Sequence, residues 1–379
     1  MACLSIFFPE DLVIDIVAGL PVKSLKRFRC VSRPWCNLIG NPNFVSKHHR
    51  KQIILDEGIG TVFVTYNDEV NNYEATITTL KLDCGNTIPL SETIPMPTLH
   101  GSNDGCCKCF AVCGPINGIL CVYERWPKCE DIILWNPATK EMKTLPLTNL
   151  KPVSTFLDSY GDIGFGFDHR TKDYKVLRFA SYPSASIDQV ELFSLESDSW
   201  RVIPIVDVFP RFGAYHIYNT YKDGVSYWLG AGVSYRDPVS DPQCILSFDM
   251  ANEVFEKLPL PSNLEMSGFS VLDFMNENLS LVLCPDEDME KCFDIWVMTQ
   301  HGVKESWVKQ VSIGPLSGVE RPIAFWKNGG LFLANDEGQL VLYDGPTKQL
   351  RNLPLLGYYC LLQVIKYEES LVPINGRRV

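Results

Sequence analysis

The sequence predicts a mainly-β chain of the α+β class. Three short helices over residues 1–50 precede a β-propeller-like domain of about six blades over residues 51–379. Three observations carry that expectation. Residues 8–50 hold three helical patterns, each with its own start signal and breaker. After residue 52, a fourteen-residue hairpin pattern recurs at intervals near fifty residues. Charge divides along the same line: residues 1–52 hold eight Lys or Arg against three Asp or Glu, a net of +5. The remainder is −16, giving −11 overall.

The helices come first. Pro9 suits a first helical position, where its missing N–H costs nothing. Glu10 and Asp11 follow in the first turn, where carboxylates favour the helix dipole. Gly19 ends this pattern, Pro21 and Ser24 open the second, and Ser32 with Pro34 opens the third. Leu12, Ile16 and Gly19 trace one stripe; Val13, Ile16, Val17 and Leu20 trace another beside it. A unit of about forty residues cannot bury both by itself, so the excess suggests a docking surface. From Pro21 to Leu55 there is no acidic residue. A signal peptide is not expected, because Cys3 to Phe8 is short, lacks a preceding basic residue and runs into Pro9-Glu10-Asp11. No apolar run approaches the ~20 residues that span a bilayer.

The body repeats. LWNPATKEMKTLPL (134–147), LFSLESDSWRVIPI (192–205), SFDMANEVFEKLPL (247–260) and LYDGPTKQLRNLPL (342–355) align without gaps. A looser copy with a longer turn begins at Ile295, so successive starts lie 58, 55, 48 and 47 residues apart. Each copy has an apolar strand end, a polar turn, a second short strand and, in most, a Leu-Pro exit. GFGFDHRTKDYKVLRFA (164–180) reads as a further hairpin turning at Asp168 to Asp173. GVSYWLGA (224–231) and GGLFLANDEGQLVLYD (329–344) follow the same grammar. Four strands per period of about fifty residues suggests blades of the kelch kind. The tail CLLQVIKYEESLVPI (360–374) is expected to return and complete the first blade. A β-sandwich is the rival architecture, but it does not explain a fixed period.

LPVKSLKRFRCVSRPW, quoted as a string, resembles the F-box, the module that binds a Skp-family adaptor of a cullin-RING ubiquitin ligase. WNPATKE, FDHRTKDYKV and the Leu-Pro exits resemble the F-box-associated domain of plant F-box proteins. The likeness covers nearly the whole chain, and its layout is similar to that of S-locus F-box proteins. Phe8 departs from the pattern by standing where the family has Leu before Pro-Glu. The resemblance implies an adaptor-facing set of Phe8, Pro9, Leu12, Ile16, Leu20, Pro21, Val22, Leu25, Val31 and Trp35. For Leu25 and Trp35, packing inside the unit is an equal reading. It also implies a non-catalytic receptor that brings a protein target to cullin and RING subunits, in the cytoplasm or also the nucleus. In the S-locus branch the target would be a basic secreted ribonuclease; in others, immune receptors or metabolic enzymes. A non-degradative scaffold is the remaining alternative.

Chemistry-bearing residues are sparse. His48, His49, His100, His169, His216 and His301 form no metalloprotease or nucleophile-elbow pattern. His48 and His49 close a basic helix, where solvated or dipole-facing roles are expected. Cys106, Cys107, Cys109, Cys113, Cys121 and Cys129 cluster near His100, but Cys121 lies in GILCVY, a buried-strand pattern, so no metal site is expected. Asn278-Leu279-Ser280 fits a glycosylation sequon, which needs an exported chain to matter. The tryptophans fall at repeat positions and read as blade packing. Asp286, Glu287, Asp288 and Glu290 form an acidic stretch that could meet a basic target. Neither catalytic residues nor cofactors are expected, and an acidic body argues against nucleic acid.

Overall fold

In the computed structural model, the residues described are 9–55, 59–68, 74–83, 90–94, 109–126, 131–148, 163–180, 189–204, 220–230, 244–262, 269–284, 290–357 and 362–374. The N-terminal unit holds four helices, one more than the sequence pattern suggests: α1 (Glu10–Ala18), α2 (Val22–Phe28), α3 (Arg33–Gly40) and α4 (Pro42–Leu55). The third pattern breaks at Gly40-Asn41-Pro42 and restarts at once. Asn41 accepts the Asn43 amide at 2.8 Å through its side chain, and Pro42 occupies the first helical position. Pro9 stands one place earlier than read, as the N-cap before Glu10, while other signals act as read. Gly19 follows α1, its amide bonding Ile16 O at 3.1 Å, and Lys26 and Arg27 lie in the last turn of α2, where cations favour the dipole.

The body contains six four-stranded antiparallel sheets among the described residues. Blade one holds β1 (Ile59–Asp68), β2 (Glu74–Asp83) and β3 (Leu90–Ile94). Blade two holds β4 (Cys109–Ile116), β5 (Ile119–Trp126), β6 (Ile132–Asn136) and β7 (Glu141–Thr144). Blade three holds β8 (Ile163–Asp168), β9 (Asp173–Ala180), β10 (Gln189–Ser194) and β11 (Ser199–Ile203). Blade four holds β12 (Thr220–Lys222), β13 (Val225–Gly230), β14 (Cys244–Asp249) and β15 (Val254–Leu258). Blade five holds β16 (Phe269–Met275), β17 (Asn278–Cys284), β18 (Lys291–Met298) and β19 (Trp307–Leu316). Blade six holds β20 (Arg321–Phe325), β21 (Leu331–Ala334), β22 (Gln339–Tyr343) and β23 (Leu350–Leu356). The last strand, β24 (Gln363–Tyr367), returns to pair with β1, with Thr61 opposite Tyr367 and Thr65 opposite Gln363. Neighbouring blades touch in order around the ring, and β24 meets both β20 and β4. Closure therefore uses the tail, as its pattern predicts.

One turn rule builds the repeated hairpins. In the aligned segments the third residue accepts backbone amides and the seventh adopts a positive φ. Asn136 Oδ1 accepts from Ala138 and Thr139 at 3.1 Å each, and Lys140 has φ 61°. Asp249 Oδ1 accepts from Ala251 and Asn252 at 2.8 and 2.9 Å, and Glu253 has φ 57°. Asp344 repeats the geometry with Thr347 at 2.8 Å and Lys348 at φ 58°. These side chains stand in for a backbone turn and fix the register on either side. The Leu-Pro exits face the neighbouring blade: Trp200 Nε1 donates to Pro146 O and Trp307 Nε1 to Pro259 O, each at 2.8 Å.

Blades three and four are also locked by charge. The Lys175 ammonium lies 2.9 Å from Asp168 Oδ2, 2.9 Å from Glu253 Oε1 and 2.7 Å from Met250 O. Asp168 and Lys175 are both buried. Burial opposes the Asp168 charge, but hydrogen bonds from Lys175 and from the amides of Arg170 and Thr171 outweigh it. They lower the carboxyl from 3.8 to about 2. Beside this pair, Met250 packs so tightly over Gly166 that any Cβ there would overlap its side chain.

The interblade lock yields two expectations. Stability from Asp168 is complete above about pH 4 and lost as pH falls toward 2, because the folded carboxyl titrates below the unfolded one. Asp168→Asn should cost about 3 kcal/mol and flatten that acid limb, read by urea unfolding at successive pH values. Gly166→Val should cost about 1–3 kcal/mol by overpacking Met250, measured the same way at neutral pH.

Candidate functional site

Surface on the helical unit is unequally divided. Leu12 and Ile16, one turn apart on α1, are 51% and 62% exposed, while Val17 and Ala18 on the opposite side are buried with Ile39, Phe44 and Val45. Phe28, the last residue of α2, and Val31 beyond it are 37% and 69% exposed. Pro9 and Pro21 are exposed, and Leu20 and Trp35 are half-buried. The Phe28 and Trp35 rings meet with centroids 5.6 Å apart. Val22 and Leu25 are fully buried in the core of the unit. Both therefore act inside the chain and leave the set that a partner can touch. Phe8 lies outside the described residues. Phe28 was not among the residues singled out from sequence, although its place three residues after buried Leu25 leaves it at the edge of that core.

The exposed apolar residues sit among cations. Lys23, Arg27, Arg29 and Arg33 are exposed around Phe28 and Val31. Of the unit's three carboxylates, Asp15 is taken by Lys47 at 2.7 Å, and the Lys47 hydrogen bond and charge lower its pKa. Lys26 instead donates to Thr139 O on the β6–β7 turn, tying the helical unit to blade two. Among the described residues no carboxylate pairs with these four cations, and an apolar patch rimmed by such charges fits an acidic, partly apolar protein surface.

Groups on the body serve structure. Cys113 and Cys121 stand opposite each other in β4 and β5 and are buried in the blade-two core, the role of small apolar residues. Among the described residues no group of three or more His, Cys, Asp or Glu is placed to hold a metal ion. Cys106, Cys107, Cys129 and His100 lie outside those residues, as do Asp286, Glu287 and Asp288. Glu290 is exposed and accepts from Ser317 Oγ at 2.9 Å. His169 packs edge-on against Phe167, and His301 meets Tyr227 OH at 3.1 Å across two blades. Burial, with Asp223, Glu256 and Asp249 nearby, pushes the Tyr227 hydroxyl up to about 12, so it stays protonated in this contact.

Comparison with known proteins agrees with both halves. Residues 70–370 match the F-box associated beta propeller domain, and residues 7–47 match the F-box domain. The chain is similar to the F-box protein CPR1 of Arabidopsis thaliana, 25% identical over 91% of this chain and 84% of that protein. The F-box/kelch-repeat protein At3g23880 of the same plant is 26% identical, over 89% and 87% respectively.

The histidines of α4 differ from their sequence expectation. His48 is fully buried, with Nε2 3.0 Å from Leu20 O, and His49 is half-buried. Burial lowers both pKa values, so the folded unit favours neutral rings. The unfolded rings take up protons below about pH 6.5, so the unit should be fully stable above that value and weaken as pH falls through it. His48→Gln keeps a donor toward Leu20 O and should lessen that decline, seen in thermal unfolding followed by far-ultraviolet ellipticity between pH 7.5 and 5 (a window of about one unit on either side of the histidine value).

Proposed function

Because the chain belongs to the F-box proteins that carry an F-box associated beta propeller domain, we propose that it is the substrate receptor of an SCF-type ubiquitin ligase. The observation that carries this reading is the pair Leu12 and Ile16, exposed on a helix whose other side is already packed. The adaptor-facing set is then Pro9, Leu12, Ile16, Pro21, Phe28 and Val31, with Leu20 and Trp35 at its margin and Phe8 adjoining Pro9 in the chain. A Skp-family adaptor bound there recruits cullin and RING subunits. The chain itself makes and breaks no bond; it raises the local concentration of target lysines near the charged conjugating enzyme.

The target is held by the propeller. The helical unit meets the face formed by tight turns, at Ala138 and Thr139. We place the target on the opposite face, toward which β9 and β17 end at Ala180 and Cys284 and from which β18 starts at Lys291. Glu290 stands there, and the net of −16 on the body favours a basic protein through steering. A basic secreted ribonuclease, as in self-incompatibility, satisfies that charge; the site of action is the cytoplasm or nucleus, where the ligase subunits are met.

Replacing Leu12 and Ile16 together by Glu tests the assignment. Each anchor should contribute about 2 kcal/mol, so pull-down of the adaptor should disappear. Both residues are exposed, so the unfolding midpoint should hold. Retained pull-down by the double variant would overturn the reading.

A further inference from the structure

We infer that residues 368–374 form a strap that fixes the helical unit on the propeller, with Glu369 and Asn136 as positioning residues for the receptor function proposed above. Ring closure is complete at Tyr367, where β24 ends. The next seven residues are not needed for it, yet Ser370, Leu371 and Ile374 are buried.

Contacts of this segment reach both sides of the joint. At the start of α2 the first backbone amide, that of Val22, precedes the helical bonds, and flanking Pro21 has no side chain with which to cap it. Glu369 Oε2 supplies the cap, accepting from Val22 N at 3.1 Å across 347 residues of sequence. Leu371 enters the helical core beside Val17, Val22 and Phe44, while Ile374 enters the blade-two core. Val372 packs against both. Asn136 Nδ2 donates to Ser370 O at 3.0 Å and Val372 O at 2.9 Å, while its Oδ1 still caps its own turn. Glu141 accepts the Ile374 amide at 3.0 Å. Gly118, at φ 76°, lies so close to Ser370 that a Cβ would collide with it. A buried joint of this kind sets where a target on the propeller stands relative to a bound adaptor.

The test uses the full chain, free and with the adaptor, carrying Asn136→Asp and Glu369→Ala. Aspartate keeps the turn-capping oxygen but sets a carboxylate against two carbonyls. Hydrogen exchange over α2 should quicken by about tenfold or more, and small-angle scattering should show a larger maximum dimension. Adaptor affinity and the propeller unfolding midpoint should stay unchanged. Unaltered exchange and dimension would refute the strap. Should the midpoint fall as well, Lys26→Met with Leu371→Ser loosens the joint from the helical side, and the same two readouts decide. If even the unaltered chain binds no adaptor, the receptor reading fails, while exchange and scattering still judge the strap.

Discussion

Closure of the ring is the constraint on which the rest depends. An open row of blades would leave strand edges and apolar blade faces exposed at both ends. Pairing β24 with β1 removes them by joining the last strand to the first blade. Because that pairing is antiparallel, the chain leaves β24 beside the point where it enters β1. Helix α4 ends at Leu55, only a few residues before Ile59. The two ends of the sequence are thereby brought to one place, which is why a tail at residue 369 can cap a helix at residue 22.

Much of the propeller is legible in sequence because its blades solve one problem repeatedly. The hairpin needs an Asn, Asp or Ser to hold its turn, and these stand at the third position of each aligned segment, in Asn136, Ser194, Asp249 and Asp344. The copy starting at Ile295 looked irregular for a structural reason: its turn carries a short 3-10 segment at Lys304–Ser306, and the ladder shifts register between Ile295 and Trp296. What sequence could not reveal is which blade each exit touches. That Pro146 receives the Trp200 indole, or that Gly166 makes room for Met250, depends on blade neighbours and leaves no local pattern.

The helical unit was legible in part. Helix-start chemistry located α1, α2 and α3, while α4 reads as the basic end of the third helix when the break at Gly40-Asn41-Pro42 is not counted as a new start. The doubled apolar stripe of α1 correctly implied excess surface, but a stripe does not say which side the core takes. Val22 looks like an anchor in a linear reading, and for Leu25 packing is an equal reading; both are interior residues, because residues 368–374 cover the start of α2 and Leu371 completes the core there. Phe28 ends up outside for the complementary reason: the core closes at Leu25, one turn earlier. The buried state of His48 was equally invisible, since it requires the Leu20 carbonyl, between α1 and α2 and twenty-eight residues away.

The charge asymmetry then acquires a geometry. Cations at Lys23, Arg27, Arg29 and Arg33 surround exposed apolar residues on one side of the joint, while the surplus of carboxylates belongs to the body on the other. Were the two units free to tumble about a linker, that basic face could fold back on the acidic propeller and neutralise itself. The buried contacts of the strap oppose such collapse, since reorienting the unit would expose Leu371 and uncap α2. On the proposed reading, rigidity at the joint therefore does more than set a distance. It keeps a positively charged face exposed in a molecule whose overall charge is negative.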